Sequence, residues 1–142
     1  MLYFDTSFLA PLILQEATSA AIETFIAALT PGTLAVSHWT RVEFSSLLAR
    51  EVRMGGMGHR NAQSADAEFE AVIRESFVVY LPDASDYDRA KAYLATDDAG
   101  LRAGDALHLA IAHRRKCDMI YSLDHKLVSA GKLLGLPVSM GP

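Results

Sequence analysis

Four acidic residues of this sequence are candidates for an active site. They are Asp5, Glu43, Asp105 and Asp124. Four carboxylates gathered in one cleft would repel each other strongly unless cations lay between them. Carboxylate oxygens are preferred ligands of Mg²⁺ and Mn²⁺, and two such ions can hold the attacking and leaving oxygens of a phosphodiester. If the fold gathers the four acids, the pattern therefore indicates metal-dependent hydrolysis of phosphodiesters, with no side chain acting as a covalent nucleophile.

Hydroxyl side chains accompany the first and the last of these acids. Thr6 and Ser7 directly follow Asp5, and Ser122 lies two residues before Asp124. Hydroxyls both donate and accept hydrogen bonds. These three residues are therefore candidates for positioning water or phosphate oxygens beside the acids.

Short apolar segments alternate with helical patterns along the chain. Residues 2–4 have no polar face, which is typical of a strand buried on both faces at the centre of a parallel sheet. The other predicted strands are 34–36, 77–81, 119–121 and 136–139. The predicted helices are 7–14, 20–29, 38–53, 60–75, 83 or 85 to 95, 106–116 and 125–134, with a loop over 96–103. Strands separated by helices require right-handed crossovers, so we expect an α/β fold, a three-layer α/β/α sandwich around a central, mainly parallel sheet.

The four acids fall near the ends of predicted strands or the starts of predicted helices. Asp5 follows the first strand and Asp124 follows the fourth. Glu43 lies in the second turn of the helix after the second strand, and Asp105 lies in the first turn of a helix. Ligands of open α/β sheets bind at the carboxyl ends of the strands, so we expect these acids to converge on one cleft.

Each acid also has a structural explanation that needs no ligand. An acid in the first turn of a helix stabilises the helix dipole by about 0.3–1 kcal/mol, which would serve for Asp105 and Asp124. Asp5 would cap the helix that follows it. Glu43 would be solvated or would pair with Arg41 or Arg50. Under this hypothesis the chain is a non-catalytic α/β interaction module, and this alternative stays open.

A further enzymatic hypothesis makes Asp5 the nucleophile of a phosphatase that resembles the haloacid dehalogenases. Those enzymes need a second aspartate two residues later, where this chain has Ser7. The pattern therefore favours a metal-dependent nuclease over an aspartate-nucleophile phosphatase.

Length and composition limit the class of protein. The chain has 142 residues, 51% of them hydrophobic, which suits one folded domain over 1–142. The formal net charge of -4 argues against a basic protein that coats nucleic acid, but it suits an acidic pocket that holds cations. No signal peptide or membrane-spanning run is visible, and the single cysteine, Cys117, excludes an internal disulfide. These features predict a cytoplasmic protein without a membrane partner.

Several short motifs occur in a recognisable order. They are Phe-Asp-Thr-Ser at 4–7, Ser37 followed by Glu43, Gly-Asp-Ala-Leu-His-Leu-Ala at 104–110, Ser-Leu-Asp at 122–124, and the segment 130–136. In this order and spacing, the sequence resembles the PIN domain nucleases, and in particular the VapC-type toxins of bacterial and archaeal toxin–antitoxin pairs. The resemblance covers nearly the whole length of the chain.

This resemblance implies a metal-dependent ribonuclease on an α/β/α fold. The acids of the family's metal site fall on Asp5, Glu43, Asp105 and Asp124, with Mg²⁺ as the cofactor and Mn²⁺ able to replace it. The family often has threonine beside its last acid, where this chain has Ser122. It often has asparagine two residues after its first acid, where this chain has Ser7. The resemblance further implies a homodimer and a cognate VapB-type antitoxin that covers the cleft.

Basic residues on or beside the predicted helical hairpin of 38–53 and 60–75 are candidates for contacts with the RNA backbone or an acidic partner. They are Arg41, Arg50, Arg53 and Arg60. The alternative for each is a solvated helix surface. One further residue, His108, lies one helical turn after Asp105 on a similar face, so it could contact substrate or a water molecule behind the acids. Packing in a helix interface is the favoured alternative.

Overall fold

A parallel sheet forms the centre of the molecule. The computed structural model describes residues 1–96, 98 and 100–142. Within these residues, five strands pair in the order β3-β2-β1-β4-β5, and each neighbouring pair is parallel. They are β1 (Leu2–Phe4), β2 (Leu34–Ser37), β3 (Val78–Tyr80), β4 (Met119–Tyr121) and β5 (Val138–Ser139). The predicted parallel sheet is confirmed, and its first strand lies in the middle of the order.

Helices cover both faces of this sheet. They are α1 (Thr6–Leu9), α2 (Ser19–Ala27), α3 (His38–Arg53), α4 (His59–Ser76), α5 (Ala84–Ala95), α6 (Ala103–Arg114) and α7 (His125–Leu133). Adjacent β1 residues point to opposite faces: Tyr3 packs with side chains of α6 and α7, and Phe4 packs with side chains of α1, α3 and α4. Both residues are fully buried. The three-layer α/β/α sandwich is therefore confirmed.

The predicted and observed elements differ at a few ends. One helix was expected over 7–14, but α1 ends at Leu9 and a 3₁₀ turn, Ala10–Leu12, follows it. The turn contains Pro11, which has no backbone N–H to donate to a helical hydrogen bond. The helix expected to run to 116 ends at Arg114, and Lys116 adopts a positive φ of 53° that is incompatible with a helix. The loop expected over 96–103 includes residues 97 and 99, which lie outside the described residues. None of the described helices is long and apolar enough to cross a bilayer.

Helices α3 and α4 form the predicted helical hairpin around the glycine-rich turn at 54–58. The rings of Phe44 and Phe69 stack between them, with centroids 3.9 Å apart. This stack lies in the apolar cluster that also contains Phe4. The hairpin is therefore fixed to the sheet, and α3 carries Glu43 in a defined position.

A buried ion pair joins α5 to the end of α6. The guanidinium of Arg114 donates from Nε to Oδ1 of Asp86 at 2.6 Å and from Nη2 to Oδ2 at 2.8 Å. Asp86 is fully buried, and its carboxylate also accepts a hydrogen bond from the backbone N–H of Asp83. Arg114 therefore serves the fold, because its charge compensates a carboxylate that water does not reach.

We expect Arg114→Ala to lower the free energy of unfolding by roughly 2–4 kcal/mol, because it leaves the buried Asp86 carboxylate without its charge partner. The neighbouring variant Arg115→Ala is the matched control. Its guanidinium lies 4.7 Å from the centre of the Tyr80 ring, an exposed contact that contributes about 0.5–1 kcal/mol. Urea unfolding of the two variants measures the difference, and equal losses would contradict the structural role of Arg114.

Candidate active site

The structure brings the four predicted acids to one cleft of about 420 Å³ at the carboxyl ends of the strands. The residues that line it are Asp5, Thr6, Ser7, Glu43, Ser46, Leu47, Arg50, Arg53, Arg102, Asp105 and Asp124. The register of the central strands explains part of this arrangement. Phe4 of β1 lies opposite Tyr121 of β4, so the residues that follow them, Asp5 and Ser122, are neighbours.

Asp5 is buried at the end of β1, with both carboxylate oxygens held. Oδ1 accepts from the backbone N–H of Phe8 at 3.0 Å and thereby caps α1. The Ser7 hydroxyl donates to Oδ1 at 2.8 Å, and the Ser122 hydroxyl donates to Oδ2 at 2.6 Å. Burial raises the pKa of the Asp5 carboxyl, although the charge of His108 and the hydroxyl of Ser122 oppose the rise. The hydroxyls thus fix the orientation of an acid that the fold removes from water.

Glu43 reaches the cleft from the second turn of α3. Its Oε1 accepts from the Thr6 hydroxyl at 2.6 Å and also contacts Nε2 of His108. Burial favours the neutral form of Glu43, but the hydrogen bond and charge of His108 and the bond from Thr6 outweigh it, so the pKa lies below its usual value. Glu43 is therefore an ionised ligand candidate with a fixed orientation.

Asp105 lies in the first turn of α6, and one of its oxygens lacks a partner. Within the described residues, its buried Oδ2 has no hydrogen bond. Burial, followed by the charge of Asp124, raises the pKa of Asp105 to about 6, and the charges of Asp5 and Glu43 add to the rise. An unpartnered carboxylate oxygen beside three other acids is a position that a cation would stabilise.

Asp124 caps α7 with one oxygen. Its Oδ1 accepts from the backbone N–H of Lys126 at 2.8 Å, and its own N–H donates to the Ser122 hydroxyl at 3.0 Å. This capping role agrees with the explanation of Asp124 that needs no ligand. Its place on the wall of the cleft also puts it beside Asp105, whose pKa it raises.

The donor set of the cleft fits a hard divalent cation. Four carboxylates and three hydroxyls offer only oxygen ligands, and Asp105 carries a buried oxygen without a partner. As the side chains stand, no group of three or more His, Cys, Asp and Glu residues in the described part of the chain is arranged to hold an ion. The oxygens of Asp5 and Glu43 instead accept hydrogen bonds from the hydroxyls and from His108.

The predicted arginines separate into two groups. Arg50 and Arg53 line the cleft, as expected of residues that contact RNA there. Arg41 does not, because its Nε donates to Glu70 at 2.9 Å on another face of α3. Arg60 is exposed on α4 and is likewise absent from the cleft wall. Contact of Arg41 and Arg60 with RNA or with an acidic partner therefore stays a prediction, at a place outside this cleft.

The sequence analysis missed Arg102 and did not identify the partner of His108. Arg102 lines the cleft at the N-terminal cap of α6, and its position three residues before Asp105 was the available signal. His108 is buried among helices, as expected, but it also contacts Glu43, which lies 65 positions earlier in the chain. A contact over that separation leaves no trace in local sequence.

The comparisons with known proteins agree with this geometry. The sequence profile of the PIN domain matches residues 2–133. This chain belongs to the PIN domain family. The family predicted from the sequence motifs is thereby confirmed. No curated protein sequence matches this PIN domain significantly.

Several solved structures are similar to this PIN domain over nearly its whole length. Mycobacterium tuberculosis VapC20, a toxin that cleaves the sarcin–ricin loop, has a TM-score of 0.74 and 25% identity over 92% of this chain and 95% of its own. VapBC-1 of nontypeable Haemophilus influenzae has a TM-score of 0.70 and 16% identity over 98% of this chain and 97% of its own. FitAB bound to a DNA fragment has a TM-score of 0.69 and 14% identity over 98% of this chain and 94% of its own.

We expect Asp105→Asn to stabilise the metal-free protein at a pH above about 6, and not in more acidic solution. The raised pKa means that the folded state keeps a proton that the unfolded chain releases between about pH 4 and pH 6, so wild-type stability falls as pH rises through this window. The variant lacks this loss. In EDTA above pH 6 it should be more stable by on the order of 1 kcal/mol, a value reduced by solvent screening of a partly buried group.

Thermal unfolding of both proteins at several pH values, always in EDTA, checks this expectation. The advantage of the variant corresponds to about 2–4 °C in a chain of this size, and it should shrink towards pH 4, where Asp105 is protonated. A difference that does not change with pH would show that the Asp105 charge does not destabilise the metal-free fold.

Proposed function

We propose that this PIN domain is the toxin of a type II toxin–antitoxin pair, and that it hydrolyses phosphodiester bonds of RNA with Mg²⁺, for which Mn²⁺ can substitute. The observation that carries the proposal is the gathering of four acids in one cleft, with a buried oxygen of Asp105 left unpartnered. Membership of the family over 2–133 supports the same chemistry.

The acids Asp5, Glu43, Asp105 and Asp124 would hold the cations, directly or through water. A bound divalent cation supplies positive charge that stabilises the phosphodiester during attack and favours ionisation of the attacking water. Ser7 and Ser122 hold Asp5 in place, and Thr6 holds Glu43. No protein side chain needs to form a covalent bond with the substrate.

RNA as substrate is supported by the similarity to VapC20, which cleaves the sarcin–ricin loop. The positive charge needed to attract a polyanion comes from Arg50, Arg53 and Arg102, which line the cleft of a chain with a net charge of -4. These arginines would contact phosphates on either side of the acids. The substrate thus meets cationic side chains first and the acids at the reacting bond.

An antitoxin partner is supported by similar structures that are themselves complexes, VapBC-1 and FitAB. We assign to this chain a cognate VapB-type antitoxin that blocks the cleft, and a homodimeric state as in the family. The proposed place of action is the cytoplasm, where RNA is available.

The module hypothesis accounts for Asp5, Asp124 and the first-turn position of Asp105, but it does not account for every feature of the site. Asp5 and Asp124 each cap a helix through Oδ1. Glu43 lies beyond the first turn of its helix, and Asp105 keeps a buried oxygen without a partner in the described structure. Capping alone would not place an unpaired carboxylate in a cleft, because burial of such a group is unfavourable. This contrast favours a ligand-binding cleft.

The phosphatase hypothesis gains no support from the environment of Asp5. The neighbours of the Asp5 carboxylate are the hydroxyls of Ser7 and Ser122, which donate hydrogen bonds to it. The Ser7 hydroxyl occupies the place where that reaction would need a second acid. We therefore keep the metal-dependent hydrolysis as the proposal.

We expect the purified protein to cleave structured RNAs in Mg²⁺ or Mn²⁺ and to be inactive in EDTA. Asp5→Asn and Asp105→Asn should each reduce the rate by roughly 100-fold or more, because each removes a charge that holds the cations at the reacting phosphate. The exposed Asp88→Asn on α5 is the matched control and should keep full activity. Full activity of both cleft variants, or undiminished activity in EDTA, would rule the proposal out.

Binding of Mn²⁺ can be followed without a substrate. Mn²⁺ should raise the melting temperature of the wild type by mass action, and the rise should disappear in Asp105→Asn. An interaction module whose acids only cap helices would show no rise in either protein.

The arginines of the cleft should affect RNA binding rather than chemistry. Arg50→Gln, Arg53→Gln and Arg102→Gln should each raise KM severalfold and leave kcat nearly unchanged. Each should also lower the slope of log KM against log salt concentration by about 1, because one phosphate contact is lost. Arg41→Gln and Arg60→Gln, which lie off the cleft, are the controls. Equal effects in all five variants would indicate only a general dependence on net charge.

A further inference from the structure

His108 is a buried polar residue at the centre of the molecule. It lies on α6, one turn after Asp105, with 1% of its surface exposed. Its Nδ1 lies 2.7 Å from the Tyr3 hydroxyl, and its Nε2 contacts Oε1 of Glu43. The Tyr3 hydroxyl is in turn 2.9 Å from the Ser37 hydroxyl. Both ring nitrogens therefore have fixed partners, and burial of the ring needs both of them.

The direction of the contact with Glu43 follows from chemistry. An ionised carboxylate can only accept hydrogen bonds, so Nε2 of His108 must carry the proton. This holds whichever way the Tyr3 and Ser37 hydroxyls turn, since Nδ1 can donate to or accept from a hydroxyl. His108 is thus a donor to Glu43 in both its neutral and its charged form.

The hydrogen bonds form a closed path that begins and ends on one helix. Ser37 caps α3 in a reciprocal capping box with Thr40, and Glu43 lies on the same helix two turns from the cap. Between them run Tyr3 on β1 and His108 on α6. The Glu43 side chain is therefore fixed with respect to the central strand and to the helix that carries Asp105.

This network treats the two oxygens of Glu43 differently. Oε1 accepts from both Thr6 and His108. Oε2 lies beside Gly104, where a Cβ atom would come within 2.7 Å of it. Gly104 immediately precedes Asp105, so the second oxygen faces the turn that carries the next acid. Because Gly104 has no side chain, Oε2 of Glu43 can lie close to the backbone of this turn.

We propose that His108 is a positioning residue, whose Nε2–H holds Oε1 of Glu43 so that Oε2 is presented to the cation site beside Asp105. The proposal rests on the proposed function, because it assigns Oε2 of Glu43 to a divalent cation. A hydrogen-bond donor behind a ligand carboxylate typically changes metal affinity by about 10–100-fold when it is removed.

Two substitutions separate this role from simple packing. In His108→Gln the side-chain amide nitrogen stands about where Nε2 stood, so the bond to Glu43 is kept and the contact with Tyr3 is lost. In His108→Asn the shorter amide reaches the position of Nδ1, so the contact with Tyr3 is kept and the bond to Glu43 is lost. Each variant loses one buried hydrogen bond, and a purely structural role would affect both alike.

Calorimetric titration with Mn²⁺ and RNA cleavage measure the difference. We expect the Gln variant to bind Mn²⁺ within about threefold of the wild type, and the Asn variant to bind roughly 10–100-fold more weakly. The exposed His113→Gln on the same helix is the control and should bind like the wild type. Equal affinity of the Gln and Asn variants, whether both intact or both weakened, would overturn the proposal.

A measurement without metal tests the hydrogen bond itself. In the proton spectrum of the metal-free wild type, the Nε2–H of His108 should appear as a downfield resonance protected from exchange, and Glu43→Gln should move it upfield. Absence of this resonance would overturn the proposal even if the His108 variants did not fold. If the resonance is present but the wild type binds no Mn²⁺, the proposed function fails while the hydrogen bond stands, so the two failures are distinguishable.

Discussion

Mutual repulsion among carboxylates is the constraint around which the cleft is built. The sheet order brings residues 5, 43, 105 and 124 to one edge, and burial removes part of the water that would screen their charges. The effect is visible at Asp105, whose pKa is raised first by burial and then by the charges of Asp124, Asp5 and Glu43. The two apolar clusters on either side of β1 must stabilise the fold against this repulsion, since the acids themselves work against it when no cation is present.

Helix capping and ligand binding are compatible roles for the same acid. Asp5 and Asp124 each use Oδ1 to accept a backbone N–H at a helix start, which leaves the other oxygen for a second partner. In Asp5 that partner is Ser122. Capping fixes the side-chain torsions, so an acid that also binds a ligand does so in a preset orientation. Helix capping and ligand binding, which were alternatives in the sequence, are therefore compatible, because each would use a different oxygen of the same carboxylate.

Local sequence patterns were sufficient to predict the strands and helices, but not the side-chain contacts between them. Residues 2–4 are apolar on both faces because β1 is covered on both faces, and this two-sided burial made the central strand recognisable. Helical periodicity could also have separated the arginines. Arg50 and Arg53 lie seven and ten residues after Glu43 and share its face of α3, whereas Arg41 does not. The contact of His108 with Glu43 depends on how α6 packs against α3, which no local spacing encodes.

The distribution of charge in the cleft explains how an acidic protein can act on a polyanion. The arginines stand on α3 at 50 and 53 and before α6 at 102, and the acids line the same cleft at the strand ends. Phosphates are attracted by the arginines over several ångströms, but at the reacting bond they would meet uncompensated carboxylates. Divalent cations between the acids would offset that local field, because each carries two positive charges. Under the proposed function, binding of RNA and binding of the cation would therefore be coupled through the charge of one cleft, and the basic wall would not by itself replace the cation.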